Sequence, residues 1–212
     1  MRNGYTGAGA LLHLPAGEHA IIAVIGCGGK TSFVESQAAK LRKYKVLVSP
    51  TTKILPMKTN GVLLRDTLRQ CVGHQPQTGV QCLGVLNAES GKLEALPEAV
   101  LADMATRYDI ALLEADGSRG LPCKGWKDDE PVIPRYCTHT VGFVTMKPLG
   151  KPATQSIVHN LPEFLSLTGL REGDPITQDA LEAMVCAPGG TGRAPDCRSF
   201  LGTLRYSSSA SK

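Results

Sequence analysis

Aromatic residues make up only 5% of this 212-residue chain, so its core has to be built from aliphatic side chains. No apolar run approaches the length a bilayer-crossing helix needs, and no membrane partner is expected. The opening MRNGYTGAGALLHLPAGEH reads as too short in apolar residues for a secretory signal. Cysteine occurs seven times, an odd count, and never as C-x-x-C. That argues against both a disulfide framework and a zinc cage, and makes a reducing cytoplasm the expected setting. A strong charge of one sign is also missing: 23 basic residues face 19 acidic ones, for a net charge of +4. The densest basic stretch, KLRKYK at 40–45, reads as the solvated end of a helix, where cations suit the dipole. No nucleic-acid partner is expected.

What remains is an ordinary globular composition, 42% hydrophobic and 20% charged. The chain is read as a single domain over 1–190, followed by a divergent, disordered tail over 191–212. AIIAVI at 20–25 is a continuous apolar run stopped by glycine, the pattern of a strand buried on both faces. A helix over 31–43 and a short apolar strand, KVLVS at 45–49, complete a βαβ unit. The segment 62–72 fits strand or helix. GVQCLGVL at 79–86 reads as a strand and LPEAVLADMATRY at 96–108 as a helix with Pro97 in its first turn. DIALLEAD at 109–116 is another buried strand, and HTVGFVTM at 139–146 is strand-like within a proline-rich loop. Helices follow from 161 and from 177, with Thr177 placed to cap the second. Residues 1–19 read as a helical turn or a loose arm. Alternating helices and two-face-buried strands predict an α/β domain, a mainly parallel sheet with helices on both faces.

The junction GCGGKTS at 26–32 carries the first functional signal. As a dinucleotide fingerprint, G-x-G-x-x-G, it fails at Thr31, and VSPTTK has no ribose-binding acid. As a full-length Walker loop it fails at Val24, where glycine is demanded. A shortened form, G-x-x-G-K-[ST], is matched by Gly26, Gly29, Lys30 and Thr31. This spacing resembles the ATP loop of the Mur ligases, within a P-loop NTPase-like fold. Gly26, Cys27, Gly28, Gly29 and Ser32 would present backbone N–H groups to phosphate. Lys30 would hold the outer phosphates, and Thr31 would hold Mg²⁺. A tight strand-to-helix turn explains the glycines equally well. It does not explain Lys-Thr opening a helix, because a cation there opposes the dipole and needs an anion to offset it.

Ligands of an open parallel sheet sit beyond the carboxyl ends of its strands. Thr51 and Thr52 follow the second strand, as phosphate contacts or as a capped turn. Glu114 and Asp116 end the strand LLEAD, the arrangement of a Walker B acid that holds Mg²⁺. Two neighbouring carboxylates repel unless a cation lies between them. Arg119 and Lys124 are candidates to stabilise transferred phosphate charge, and Cys27 beside Lys30 is expected to have a lowered thiol pKa.

Four segments together resemble one family: IIAVIGCGGKTSF, VLVSPTTKI, LLEADGSRGLPCKGWKDDEPVIP and IVHNLPEFLSLTGLREGDPITQDALEAM. It is the family of selenium-dependent hydroxylase accessory proteins, also called selenium cofactor biosynthesis proteins. The resemblance spans about residues 21–186. It implies a P-loop nucleotide-binding protein associated with maturation of selenium-dependent molybdenum hydroxylases. Carried over by position, its functional residues are Gly26, Gly28, Gly29, Lys30, Thr31, Thr51, Thr52, Glu114, Asp116, Arg119, Lys124, Glu130 and His159. Beyond Gly190 it fades: SFLGTLRYSSSASK stands where the family continues into a further apolar strand. The expected ligands are ATP or GTP with Mg²⁺, with ATP favoured because no N-K-x-D guanine signature occurs. The expected partner is a molybdenum hydroxylase or its cofactor. A nucleotide-gated delivery factor and a ligase working through an acyl phosphate are the alternatives.

Overall fold

A computed structural model describes residues 5–6, 19–57, 62–186 and 198–204. In chain order the first half runs β1 (Tyr5–Thr6), β2 (Ala20–Gly26), α1 (Lys30–Lys40), β3 (Lys45–Pro50), β4 (Lys53–Ile54), β5 (Val62–Arg65), α2 (Leu68–Val72), β6 (Gly79–Leu83), β7 (Val85–Asn87) and β8 (Lys92–Glu94). The second half runs α3 (Glu98–Arg107), β9 (Ile110–Glu114), β10 (Cys123–Lys124), β11 (His139–Thr145), β12 (Val158–His159), α4 (Leu161–Thr168), α5 (Gln178–Cys186) and β13 (Arg198–Leu204).

Eight strands form one sheet in the order β1-β13-β11-β2-β9-β3-β6-β5, and every neighbouring pair is parallel. The expected α/β architecture is therefore present, and it is consistent with a P-loop NTPase-like fold. β2 lies inside the sheet between β11 and β9, which is why AIIAVIG is apolar throughout. Its alternate residues serve opposite faces. Ile22 and Val24 pack with Phe33 and Val34 of α1, while Ile21, Ala23 and Ile25 pack with Leu101 and Met104 of α3. Each such side chain, fully buried, contributes on the order of 1.5–3 kcal/mol. Val24, where a full-length loop would need glycine, is core.

A third cluster joins α4 and α5 to the site edge of the sheet through Cys27, Cys123, Val144, Phe164 and Met184. The Thr177 hydroxyl accepts the Ala180 N–H at 3.2 Å and caps α5 as expected. The ambiguous segment 62–72 is both things in turn, strand β5 and then α2, with Thr67 capping α2 through the Gln70 N–H.

The tail reading needs correction. Arg198–Leu204 is a strand, paired in parallel with β11 from His139↔Arg198 to Thr145↔Leu204, and Tyr5–Thr6 adds to its far side. The further strand at this end of the sheet is RSFLGTL itself. Without an alternating pattern, only the open edge of β11 reveals its role. The remainder of the expected arm and tail, 1–4, 7–18, 191–197 and 205–212, lies outside the described residues. Among the described residues no helix is long and apolar enough to cross a membrane.

Candidate functional site

The site is built where β2 stops. Gly26, Gly28 and Gly29 all have positive φ, at 96°, 77° and 104°. This left-handed backbone, which side chains with a Cβ resist, swings the chain from strand to helix in three residues. Gly26 has a second reason to be glycine. A Cβ there would lie 2.1 Å from the Phe143 carbonyl oxygen of β11. The Cys27 N–H donates to that same oxygen at 2.9 Å, so loop and neighbouring strand are stitched together.

Helix α1 opens on Lys30 with no side-chain cap and no acid in its first turn. The anion that offsets this cation is internal. The Lys30 ammonium lies 2.7 Å from Asp116 Oδ1 and donates to the Gly26 carbonyl at 2.5 Å. Asp116 Oδ2 accepts the Gly26 N–H at 2.9 Å. Asp116 thus clamps the loop from the end of β9. The cation predicted between the acids as Mg²⁺ is in this arrangement Lys30, which feels both carboxylates. Burial works against its charge, but Asp116 and Glu114 outweigh it and raise its pKa.

Asp116 carries a second cation. Lys124, fully buried on β10, lies 3.5 Å from Asp116 Oδ2 and 3.0 Å from Glu130 Oε2, and donates to the Gly117 carbonyl at 2.9 Å. Its ammonium also sits 4.4 Å from the centre of the Trp126 ring. Asn160 closes the chain, its amide donating to Glu130 Oε2 and to the Gly125 carbonyl, both at 3.2 Å. Lys124, expected to touch transferred phosphate, instead neutralises Asp116 and Glu130 inside the protein. Glu130, carried over as a functional residue by the family resemblance, is spent on Lys124 and Asn160. Asn160 was not anticipated. Its backbone at φ 55° and its side chain turned away from capping α4 become visible only in three dimensions.

Glu114 and Thr31 stay accessible to chemistry. The Thr31 hydroxyl lies 3.5 Å from Glu114 Oε2. Burial, opposed by the Lys30 charge, lifts the Glu114 carboxyl to about 7. These two oxygen donors fit Mg²⁺, which takes a few protein oxygens and completes its shell with water and phosphate. Asp116 fits that shell less well: Oδ2 takes the Gly26 N–H and faces Lys124, and buried Oδ1, with no hydrogen bond, is met by the Lys30 ammonium as an ion pair. Among the described residues no group of three or more His, Cys, Asp and Glu is gathered to hold a metal.

A pH consequence follows for Glu114. Its folded pKa lies above its unfolded value, so the folded chain binds the extra proton between about pH 4 and 7. Stability is expected to fall by on the order of 2–3 kcal/mol as pH rises through that window. Urea unfolding across the range should show the slope in the native chain and lose it in Glu114→Gln. An equal slope in both would place the titration elsewhere.

The other candidates divide. Thr51 donates its hydroxyl to the Val132 carbonyl at 2.7 Å, tying the end of β3 to the loop after Glu130. The buried Thr52 hydroxyl oxygen has no hydrogen-bond partner. Ser32 and Arg119 are exposed, and Arg119 holds a left-handed φ of 50°. Cys27 is fully buried, and its thiol pKa is strongly raised: desolvation dominates, and the Lys30 charge only partly offsets it. The expected activation of this thiol is therefore reversed. Lys53 points its charge at Glu94 across an exposed pair, an interaction worth little.

Fold and site together define an α/β parallel-sheet protein whose carboxyl edge gathers a glycine turn, a Lys-Thr helix start and the acids of an inner strand. A family model described as "YqeC protein" matches residues 22–162, and the chain belongs to the YqeC family. It is 30% identical over 176 residues to "Uncharacterized protein YqeC" of Escherichia coli (strain K12), a match covering 80% of this chain and 69% of that relative. No solved structure matches the chain.

Proposed function

We propose that the protein binds a nucleoside triphosphate, ATP in preference to GTP, with Mg²⁺. It would hydrolyse the nucleotide, or transfer its phosphoryl group, as an accessory step in maturation of a selenium-dependent molybdenum hydroxylase. The observation that carries the binding claim is the clustering of Gly26–Thr31 with Glu114 and Asp116 at the carboxyl edge of adjacent strands. A left-handed glycine turn, a lysine and a helix start converge there, the physical requirements of a phosphate cradle. The orphaned Thr52 hydroxyl adds a polar atom that protein alone leaves unsatisfied, at the turn after the strand next to β9. The hydroxylase setting is supported by the family resemblance.

In this reading phosphate oxygens draw the Lys30 ammonium away from Asp116. Mg²⁺, held by Thr31 and Glu114, would neutralise charge on the outer phosphates. Asp116 takes the Gly26 N–H for itself, which fixes the shape of the loop, and is itself kept in place by Lys124. It is a positioning residue.

Lys30→Ala is expected to weaken triphosphate binding by about 10- to 100-fold while leaving monophosphate binding nearly unchanged. Calorimetric titration with and without Mg²⁺ measures this. Because the substitution leaves Asp116 short of a counter-charge, Lys30→Met/Asp116→Asn serves as the charge-balanced control. A native chain that binds no nucleotide in the micromolar range would overturn the reading.

A further inference from the structure

We propose that Arg119, Lys127 and His159 form a second anion subsite beside the phosphate loop, one that takes an oxyanion, phosphate or carboxylate, on the other substrate. The subsite stands on its own geometry; that its ligand is a second substrate rests on the nucleotide reading.

Three segments are gathered around Lys124. The turn 117–120 is held by the Lys124 bond to the Gly117 carbonyl and closed by the Leu121 N–H on the Ser118 carbonyl, both at 2.9 Å. The segment 127–130 is held through Glu130 on Lys124, and the Glu130 N–H returns to the Lys127 carbonyl at 3.0 Å. Strand β12 is held by pairing, with His159 in register with Lys124 and its carbonyl accepting the Gly125 N–H at 2.7 Å. One cationic residue thus sits on each of the two loops, and the histidine sits on the strand that leads into α4.

The charges acting on His159 do not balance. Lys124 is matched internally by Asp116 and Glu130. Arg119 and Lys127 are exposed, and among the described residues neither is in a salt bridge. His159 registers the excess. Burial first, then Lys124, Arg119 and Lys127, push its pKa down, and only Glu130 acts the other way. Asp128 and Asp129 flank Lys127 in sequence but are not among the charges acting on that ring. Finally, Arg119 is one of two residues other than glycine with positive φ among those described. A left-handed arginine costs about 1 kcal/mol, and such strain persists where the surrounding structure holds a group for use. An ion-pair chain, Lys30–Asp116–Lys124–Glu130, separates this face from the glycine loop, so two anions bound at the two places would face each other across it.

The test reads the His159 imidazole by NMR, assigned with His159→Gln, as inorganic phosphate or acetate replaces chloride at constant ionic strength. Bound oxyanion should raise the His159 pKa by about one unit. The rise should persist in Lys30→Ala and vanish in Arg119→Gly/Lys127→Ala, where glycine keeps the left-handed turn intact. The two anions distinguish a phosphate-bearing from a carboxylate-bearing ligand. No rise with either, a rise that survives the double variant, or one lost in Lys30→Ala would each overturn the subsite. Loss of the nucleotide reading shows separately, as absent triphosphate binding by the native chain.

Discussion

Lys124→Met is expected to destabilise the protein by about 3–5 kcal/mol, the cost of removing one partner from a buried ion pair. The lysine is fully buried, as is Asp116, and Glu130 is only 19% exposed. Lys30 and Lys124 against Asp116 and Glu130 is a balanced set of charges, and the substitution leaves one carboxylate in excess where water cannot screen it. The cation over the Trp126 ring is lost too, worth about 1 kcal/mol. Adding Glu130→Gln restores the balance, and its amide oxygen still accepts from Asn160. The double variant should therefore regain most of the lost stability and, with Asp116 again matched by Lys30, most of the nucleotide affinity proposed for the native chain. Urea denaturation and calorimetric titration of the three proteins measure both. A single variant that unfolds at the native midpoint, or a second substitution that rescues nothing, would mean that Lys124 does not carry the charge balance of Asp116 and Glu130.

Gly26→Ala is expected to be at least as damaging, at about 4 kcal/mol or more, and to abolish loop function with it. Its backbone sits at φ 96°, and the added Cβ would lie 2.1 Å from one backbone atom of Phe143 and 2.9 Å from another. Backbone in the middle of a sheet cannot move aside as a side-chain end can. Gly91→Ala is the matched control, because its φ is 64° with nothing within 4 Å of the new Cβ. That variant carries only the left-handed penalty, about 1–2 kcal/mol. Thermal unfolding of both separates the contributions. Equal losses would mean that the β11 contact has no energetic weight.

These expectations also mark where the sequence could be read and where it could not. The strands β2, β3, β9 and β11 are apolar runs because both faces of the sheet are covered, and runs of that kind are visible in one dimension. The glycine turn, Lys30, Thr31 and the Glu114–Asp116 pair announced themselves through their position after such strands. Their partnerships did not. Nothing in spacing says that Asp116 takes Lys30 and Lys124 rather than a metal, because Lys124 reaches it through a two-residue pairing with β12. Nor does spacing say that Cys27, between Gly26 and Gly28 in its loop, is sealed beneath α4 and α5.

The sequence by itself determined the α/β layering, the glycine turn that opens α1 on Lys30 and the family to which the chain belongs. These depend on local pattern: periodicity, left-handed glycines and the order of charged residues at strand ends. Tertiary structure decided which charges are spent on the protein and which are left for a ligand. Burial sets that division. A carboxylate enclosed with two ammonium groups becomes scaffold, whereas an arginine on a strained, exposed turn keeps its charge available.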